Sequence, residues 1–410
     1  MLTAAGHVLV PVDRAAAVIV NTCGFIDAAK EESIETLLGT CATVHARGAQ
    51  VIAFGCLVER YRAELARELP EIDVFCGFET QPIVALLHRL GDTSIEAPPA
   101  QRARRPLVSY LKISDGCDRR CTFCAIPLIK GRYEAVAPRH ILELARSELE
   151  RGTRELVLVG QDTACYQAPG YGDLERLLSD LAALKPLWLR LLYLQPESVS
   201  AALLEALAAY AVPYVDLPLQ HASARVLKAM GRQGNGEAYL DLLAQVRRIL
   251  PSAAVRSTFI TGFPGETERE FEELLQFVAE ADLAVAGVFP FDPQEGTAAA
   301  RLPQQLPVDL REERAARLGA AAERAARPFW EGQVGRTLNV LVEHGCGGAT
   351  GEATGRIATQ APDIDGVTYV SGGTLRRGQV VRVTIDGVLG FDLTGRIDTH
   401  TRRRQGRRRP

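Results

Sequence analysis

The sequence has little excess charge, almost no methionine or tryptophan, and no long apolar run. Its 410 residues carry 47 Lys and Arg against 50 Asp and Glu, a net charge of −3. A chain so nearly balanced is not, as a whole, an electrostatic nucleic-acid binder, because such proteins concentrate basic charge. No apolar stretch approaches the roughly 20 residues of a membrane span, and the opening residues do not read as a signal peptide. Nine cysteines, an odd number and partly clustered, read as reduced thiols and metal ligands. The expected setting is cytoplasmic. Two Met and two Trp among many Ala and Arg reflect a genome's bias and carry no function. The length suggests about two to three domains.

What the sequence does have is Ser114-Asp-Gly-Cys117-Asp-Arg-Arg-Cys121-Thr-Phe-Cys124, directly after the apolar run Ser109-Tyr-Leu-Lys-Ile113. Thiolates at C-x₃-C-x₂-C spacing converge on one small object, a metal ion or an iron–sulfur cube. Zinc wants a fourth ligand close by, and His140 and Cys165 come next at unsuitable spacing. A zinc knuckle with a distant fourth ligand stays open. Three protein ligands on a 4Fe–4S cube leave one iron for a substrate, which makes the loop a reaction centre.

Residues 1–95 alternate strand and helix patterns. Ala17–Asn21, Gln50–Gly55 and Asp73–Gly77 are apolar runs of the buried-strand type. A helix is expected from Ile26 to Arg47, and another carries Ile83, Val84, Leu86 and Leu87. This alternation predicts a small parallel sheet whose functional loops leave the carboxyl ends of its strands. Cys23 and Cys56 follow two such strands and stand at equivalent positions. Cys41 and Cys76 read as small buried apolar residues. Gly91 to Pro106, with Pro98-Pro99 and an Arg-rich stretch, reads as a linker.

Residues 107–300 repeat one unit six times. Strands are expected at Tyr110–Ile113, Glu155–Val159, Trp188–Tyr193, Tyr214–Leu217, Val255–Ile260 and Leu283–Phe291. Helical patterns separate them, including one stretch from Ala222 to Leu250. Six strand–helix units predict a parallel sheet curling into a partial (β/α)6 barrel, with chemistry on the loops after the strands. Those loops are polar: Gly160-Gln161-Asp162, Gln195-Pro-Glu197, Gln220-His221 and Gly262-Phe-Pro-Gly-Glu266. His221 is either a general base or a residue that orients or binds. The Arg/Glu/Ala-rich helix Val308–Phe329 is expected to leave the barrel. Beyond it, residues 330–398 hold short alternating runs with glycine turns, the pattern of a small antiparallel β-barrel. The Arg-rich tail Arg402–Arg409 reads as a solvated terminus.

The Cys loop, with Phe123 before its last Cys, resembles the radical S-adenosylmethionine enzymes. The likeness extends along the chain. Asn21-Thr-Cys-Gly24, Gly55-Cys-Leu57, Pro218-Leu-Gln-His-Ala-Ser223, Leu227-Lys-Ala-Met-Gly-Arg232 and Gly262-Phe-Pro-Gly-Glu-Thr267 resemble the methylthiotransferases. The C-terminal barrel is similar to their TRAM module. Phe25–Glu35, Ala361–Gly366 and Tyr369-Val370 resemble the RimO branch, which modifies a protein; the sister MiaB-type branch modifies an adenosine of transfer RNA. The resemblance implies methylthiolation of the β-carbon of an aspartate in the twelfth small-subunit ribosomal protein. It implies two 4Fe–4S clusters, S-adenosylmethionine and an intracellular electron donor, because the reductive cleavage needs the low end of the range of cluster potentials. Cys117, Cys121 and Cys124 correspond to the ligands of the catalytic cube. Phe123, Gln161, Gln220 and His221 are the candidate cofactor-binding residues, and nucleic acid is at most an incidental contact. A cluster-stabilised ribosome-binding protein without turnover is the non-enzymatic alternative.

The family's second cluster takes three Cys, and Cys23 and Cys56 match two of them. The third comes from a Gly-Cys-Pro-Lys-Asn-like loop after an opening strand, and this chain has no such loop. Met1–Gly6 resembles the end of the following helix, ahead of a strand expected at Val8–Val10. The expectation is that one strand and most of a helix, about 20 to 30 residues at common element lengths, precede Met1 in the real protein. As written, the chain is expected to build the radical cluster, to bind the second one poorly, and to leave a sheet edge uncovered.

Overall fold

The computed structural model describes residues 7–8, 10–79, 83–84, 87, 106–345 and 352–398. Within it the chain divides into two units. One comprises Met1–Arg105, Gly116–Tyr133 and Asp292–Arg301; the other comprises Pro106–Asp115, Glu134–Phe291 and Leu302–Pro410. The linker expected at Gly91 to Pro106 lies outside the described residues but for Pro106, as do the Arg-rich tail and most of the helix after Cys76.

In the first unit β1 (Ala17–Thr22), β2 (Gln50–Gly55) and β3 (Val74–Cys76) form a parallel sheet in that order. The run Val51-Ile-Ala53 is fully buried because both sheet faces are covered. Val51 and Ala53 pack with Leu37 and Val44 of α1 (Asp27–Val44) and Leu57 of α2 (Cys56–Glu68), whereas Ile52 packs with Cys76 and Ile83 on the other face. Val8 and Val10, expected in a strand, lie outside any strand and are exposed, so pairing there would bury little. The Cys loop and the helix after it, α3 (Ile126–Lys130), belong to this unit.

The second unit holds the six-fold repeat. Strands β4 (Val108–Lys112), β7 (Glu155–Val159) and β10 (Trp188–Leu191) pair in parallel, as do β11 (Tyr214–Gln220), β12 (Ala254–Thr261) and β13 (Val285–Pro290). Val212 and Leu194 join β10 to β11 through backbone hydrogen bonds of 2.8 and 3.0 Å. Among the described residues β4 and β13 do not pair with each other, so the barrel is partial. Two short ribbons, β5–β6 (Ser114–Asp115 with Glu134–Ala135) and β8–β9 (Gln167–Ala168 with Gly172–Asp173), decorate it.

The barrel helices are α4 (Pro138–Glu150), α5 (Leu174–Ala182), α6 (Ala201–Tyr210), α7 (Ala224–Ala229), α8 (Gly236–Ile249) and α9 (Glu268–Glu280). Asp173, Ser200, Ser223, Asn235 and Thr267 cap the last five of them by accepting a first-turn N–H. The helical stretch expected from Ala222 to Leu250 is divided into two helices. Gly231 and Gly234 take φ of +71° and +105° between them, and Asn235 starts the second.

Helix α10 (Val308–Glu331) does not leave the barrel. Arg314, Leu318, Ala322, Ala326 and Trp330, four apart, form a buried stripe against β13 and α9. The stripe is easily missed because one member is Arg and two are Ala. Strands β14 (Thr337–His344), β15 (Ala353–Arg356), β16 (Thr368–Ser371), β17 (Val380–Leu389) and β18 (Asp392–Ile397) close a small barrel in the order β14-β15-β16-β18-β17. Its pairs are antiparallel except β16 with β18. Its core is continuous with Trp188, Tyr214, Ala254 and Ala284 at the entrances of the large barrel's strands, so it plugs that barrel's floor.

Candidate active site

The Cys loop is shaped by its neighbours. Gly116 has φ +69°, and a Cβ there would collide with the carbonyl of Arg132, so only glycine serves. The Asp118 carboxylate accepts the Arg132 Nε–H and the Tyr133 backbone N–H, both at 3.2 Å; Arg132 first, then this N–H, hold it below the usual range. Cys117 N–H donates to the Gly131 carbonyl and Cys124 N–H to the Cys121 carbonyl, each at 3.2 Å. The Arg119 N–H points at Cys117 Sγ, 3.4 Å away. Cys117, Cys121, Cys124 and Phe123 are half-buried, and the described cysteines are outside disulfides. Among the described residues no three His, Cys, Asp or Glu side chains gather on one metal ion. An iron–sulfur cube, which takes thiolates as its protein ligands, would be held by Cys117, Cys121 and Cys124. Three soft donors, none in a disulfide, in one short loop suit that group.

Cys23 and Cys56 are brought together by strand register. Thr22 lies opposite Gly55 across β1 and β2, and each thiol is the next residue. Gly55 turns with φ +113°. A Cβ on Gly24 would lie 2.8 Å from Leu57 Cα, so these two loops touch backbone to backbone. Arg60 Nη1 donates to the Gly24 carbonyl at 3.0 Å and to Gln294 Oε1 at 3.1 Å. Gln294 belongs to the 292–301 segment, whose Ala299 N–H donates to Thr122 of the Cys loop at 2.8 Å. One segment therefore contacts both thiol-bearing regions of this unit, and nothing in the sequence pattern announced it. Cys41 and Cys76 are buried in the two small cores.

The large barrel carries its own polar rim. Gln161 follows β7, Gln195 follows β10, and Gln220 closes β11 with φ +70°. Their side-chain carbonyl oxygens are buried without a hydrogen-bond partner, as are Ser114 Oγ and Thr261 Oγ1 at the ends of β4 and β12. Buried orphan acceptors are costly, so this set at the ends of the barrel's strands is a candidate seat for a polar ligand. Ser114 and Thr261 escaped sequence reasoning because hydroxyl residues at strand ends are commonplace.

His221 is fully buried, and its Nδ1 accepts the Ser223 N–H at 2.9 Å. Its Nε2 faces Glu266 Oε2 at 3.4 Å, and Glu266 Oε1 is paired with Arg314 at 2.7 Å. Both ring nitrogens are thus engaged, Nδ1 by the Ser223 N–H and Nε2 by Glu266. Glu266 also accepts the backbone N–H of Gly262 at 2.9 Å, so the Gly262–Glu266 turn locks His221 in place.

Next to it, burial alone would push the Glu270 carboxyl up. Arg225, Thr267 and Ser223 outweigh burial and hold it down to about 2. A folded-state pKa below the unfolded one contributes stability that is present above about pH 4.3 and is lost as pH falls toward 2. Arg225 is more than half exposed, which discounts the pair to on the order of 2 kcal/mol. Urea titrations of wild type and Glu270→Gln should differ by that amount at pH 6 and converge near pH 2. A gap that stays constant with pH would refute the ionic account.

The chain matches the models of three families: the uncharacterized protein family UPF0004 over residues 1–77, the radical SAM superfamily over 111–278, and the TRAM domain over 334–397. It is similar in fold to the radical S-adenosylmethionine methyltransferase TsrM of Kitasatospora setae, solved with cobalamin and a [4Fe-4S] cluster. The TM-score is 0.52 at 15% identity, over 70% of this chain and 66% of that one. It is 41% identical to the ribosomal protein uS12 methylthiotransferase RimO of Moorella thermoacetica, over 94% of this chain and 91% of the relative. Its identity to the RimO of Pelotomaculum thermopropionicum is 39%, over 96% of this chain and 94% of the relative. On that identity over that length, the chain belongs to the RimO family of ribosomal protein uS12 methylthiotransferases.

Proposed function

We propose that this protein attaches a methylthio group to the β-carbon of an aspartate in ribosomal protein uS12. The observation that carries the reading is near-full-length similarity to RimO at 41% identity. In this reading Cys117, Cys121 and Cys124 hold a 4Fe–4S cube, and the Arg119 N–H directed at Cys117 Sγ stabilises thiolate charge. The orphan oxygens of Gln161 and Gln220 accept N–H or O–H groups of S-adenosylmethionine, and His221 fixes the Gln220 loop. When bound, the cube supplies an electron and S-adenosylmethionine the radical that removes a hydrogen from the substrate carbon. Cys23 and Cys56 supply two ligands toward a second cluster that carries the methylthio group.

The reading extends to an intracellular electron donor and a cytoplasmic setting. Among the described residues no helix is long and apolar enough to cross a membrane. It also divides the labour between a domain at 1–95, the barrel at 107–300 and the TRAM-like module at 330–398. Mass spectrometry of uS12 and of transfer RNA from a deletion strain tests it. Loss of the aspartate modification with unchanged transfer RNA is expected. A lost adenosine methylthio group beside intact uS12 would transfer the protein to the sister branch.

A further inference from the structure

The substrate aspartate carries a carboxylate one bond from the reacting carbon. A carboxylate removed from water needs a cation or several directed N–H donors. Strand register decides which cations face the barrel's interior. Tyr110, Val157 and Arg190 stand side by side across β4, β7 and β10, and Asp216, Arg256 and Val285 across β11, β12 and β13. The strand cations on this face are Lys112, Arg190 and Arg256.

Two of the three are committed. Arg190 is fully buried, with Nε on Glu155 at 2.7 Å and Nη2 on the carbonyls of Ala358 and Gln360; its Nη1 has no partner either, but its side chain is wholly enclosed, whereas that of Arg256 is 17% exposed. Lys112 sits at the strand's end, paired with Asp115 at 2.7 Å and largely exposed. Arg256 differs. Its Nη1 is held by Asp216 at 3.0 Å, while Nε is buried without a hydrogen-bond partner and none reaches Nη2 among the described residues. One edge of the guanidinium is thus spoken for and the other is not.

Gly287 of β13 stands beside the open edge. A Cβ on Gly287 would lie 3.8 Å from Arg256 Nη2, 3.8 Å from Thr258 Oγ1 and 3.4 Å from the Phe289 ring. These are ordinary contact distances, so a side chain at 287 would pack directly on all three groups, and the glycine leaves that position without one. Phe289 is 48% exposed, an unusual state for a strand aromatic, and offers an apolar wall beside the donors.

We infer that the Nε and Nη2 edge of Arg256 receives the side-chain carboxylate of the substrate aspartate, selecting aspartate and aiming its β-carbon. The inference rests on the proposed methylthiotransferase reading. Asp216 already counters the charge of Arg256, so the site offers directed donors more than net charge. Selection then falls on the planar, two-oxygen shape of the carboxylate, which a lysine ammonium does not match.

Binding of the full chain to two probes tests it: the uS12 peptide containing the target aspartate, and the same peptide with Asn there. Wild type should prefer the Asp peptide by roughly ten- to hundredfold, the worth of a charge-assisted hydrogen-bond pair. Arg256→Gln should bring the ratio close to one, and Arg256→Lys should not restore it. Damage to folding lowers both affinities and leaves the ratio alone. Gly287→Val, which keeps Arg256 and its Asp216 bond in a strand that favours Val, should erase the same preference. A ratio unchanged in both variants overturns the inference and leaves the functional reading standing. Wild-type protein that binds neither peptide overturns the functional reading and this inference with it.

Discussion

Protein with Cys117, Cys121 and Cys124 all changed to Ala should emerge from anaerobic reconstitution lacking one cube, about four irons per chain, and should form no 5′-deoxyadenosine. The expectation follows from what the loop spends its groups on. Its backbone is set by Gly116 and by Asp118 with Arg132 and Tyr133, none of which needs the thiols. The three cysteines are half-buried, outside any disulfide and outside the two small apolar cores of this unit, so their removal opens no cavity there. The variant should therefore melt close to apo wild type while its iron content and cleavage activity fall together. The control is Cys41→Ala, a buried site within a small apolar core, where iron should be retained and stability should drop. Unchanged iron and unchanged 5′-deoxyadenosine in the triple variant would remove the loop from the chemistry.

The Cys loop stands out as a candidate site because its signal is local: three donors within eight residues need no tertiary information. The barrel was legible for a similar reason. Runs such as Glu155–Val159 are apolar throughout because parallel strands are covered on both faces, and the structure returns that strand with the expected bounds. Signals that depend on distant partners were lost. β15, Ala353-Thr-Gly-Arg356, has no apolar alternation and is a strand only because β14 and β16 flank it. α10 reads as a polar surface helix, yet its Arg314 is buried against Glu266 and the Phe271 ring. Arg60 looks like any helix arginine until Gly24 and Gln294 arrive from elsewhere in the unit. Arg256 stands in an apolar strand, where sequence alone has no means of saying which face it takes. Periodicity reports burial, and it is silent about which buried polar groups meet.

The largest stability effect is expected at one such meeting. Glu155 is fully buried at the start of β7, with Oε1 on Arg190 at 2.7 Å and Oε2 on Arg356 of β15 at 2.6 Å. Arg356 is held further by Glu343 at 2.8 Å and by the Gln360 carbonyl at 2.8 Å. One carboxylate thus joins a strand of the large barrel to a strand of the small one. Removing a single partner from a buried ionic set leaves an uncompensated charge, at a cost of about 3–5 kcal/mol. Glu155→Ala leaves Arg190 without a carboxylate and Arg356 with Glu343 alone, and should lose about that much; Glu155→Gln keeps the volume and one acceptor and should lose less. The chain reports on this junction by itself. Its two tryptophans, Trp188 and Trp330, are both buried there, and Trp330 Nε1 donates to the Ala284 carbonyl at 2.8 Å. Denaturant titration followed by tryptophan emission should show the Glu155→Ala midpoint moving to much lower urea, ahead of the far-ultraviolet circular dichroism signal of the helices. Separated transitions would mean that the junction opens before the large barrel unfolds. If the emission midpoint stays at the wild-type value, the buried network contributes nothing to holding the two barrels together, and the apolar contacts around Trp330 hold them alone.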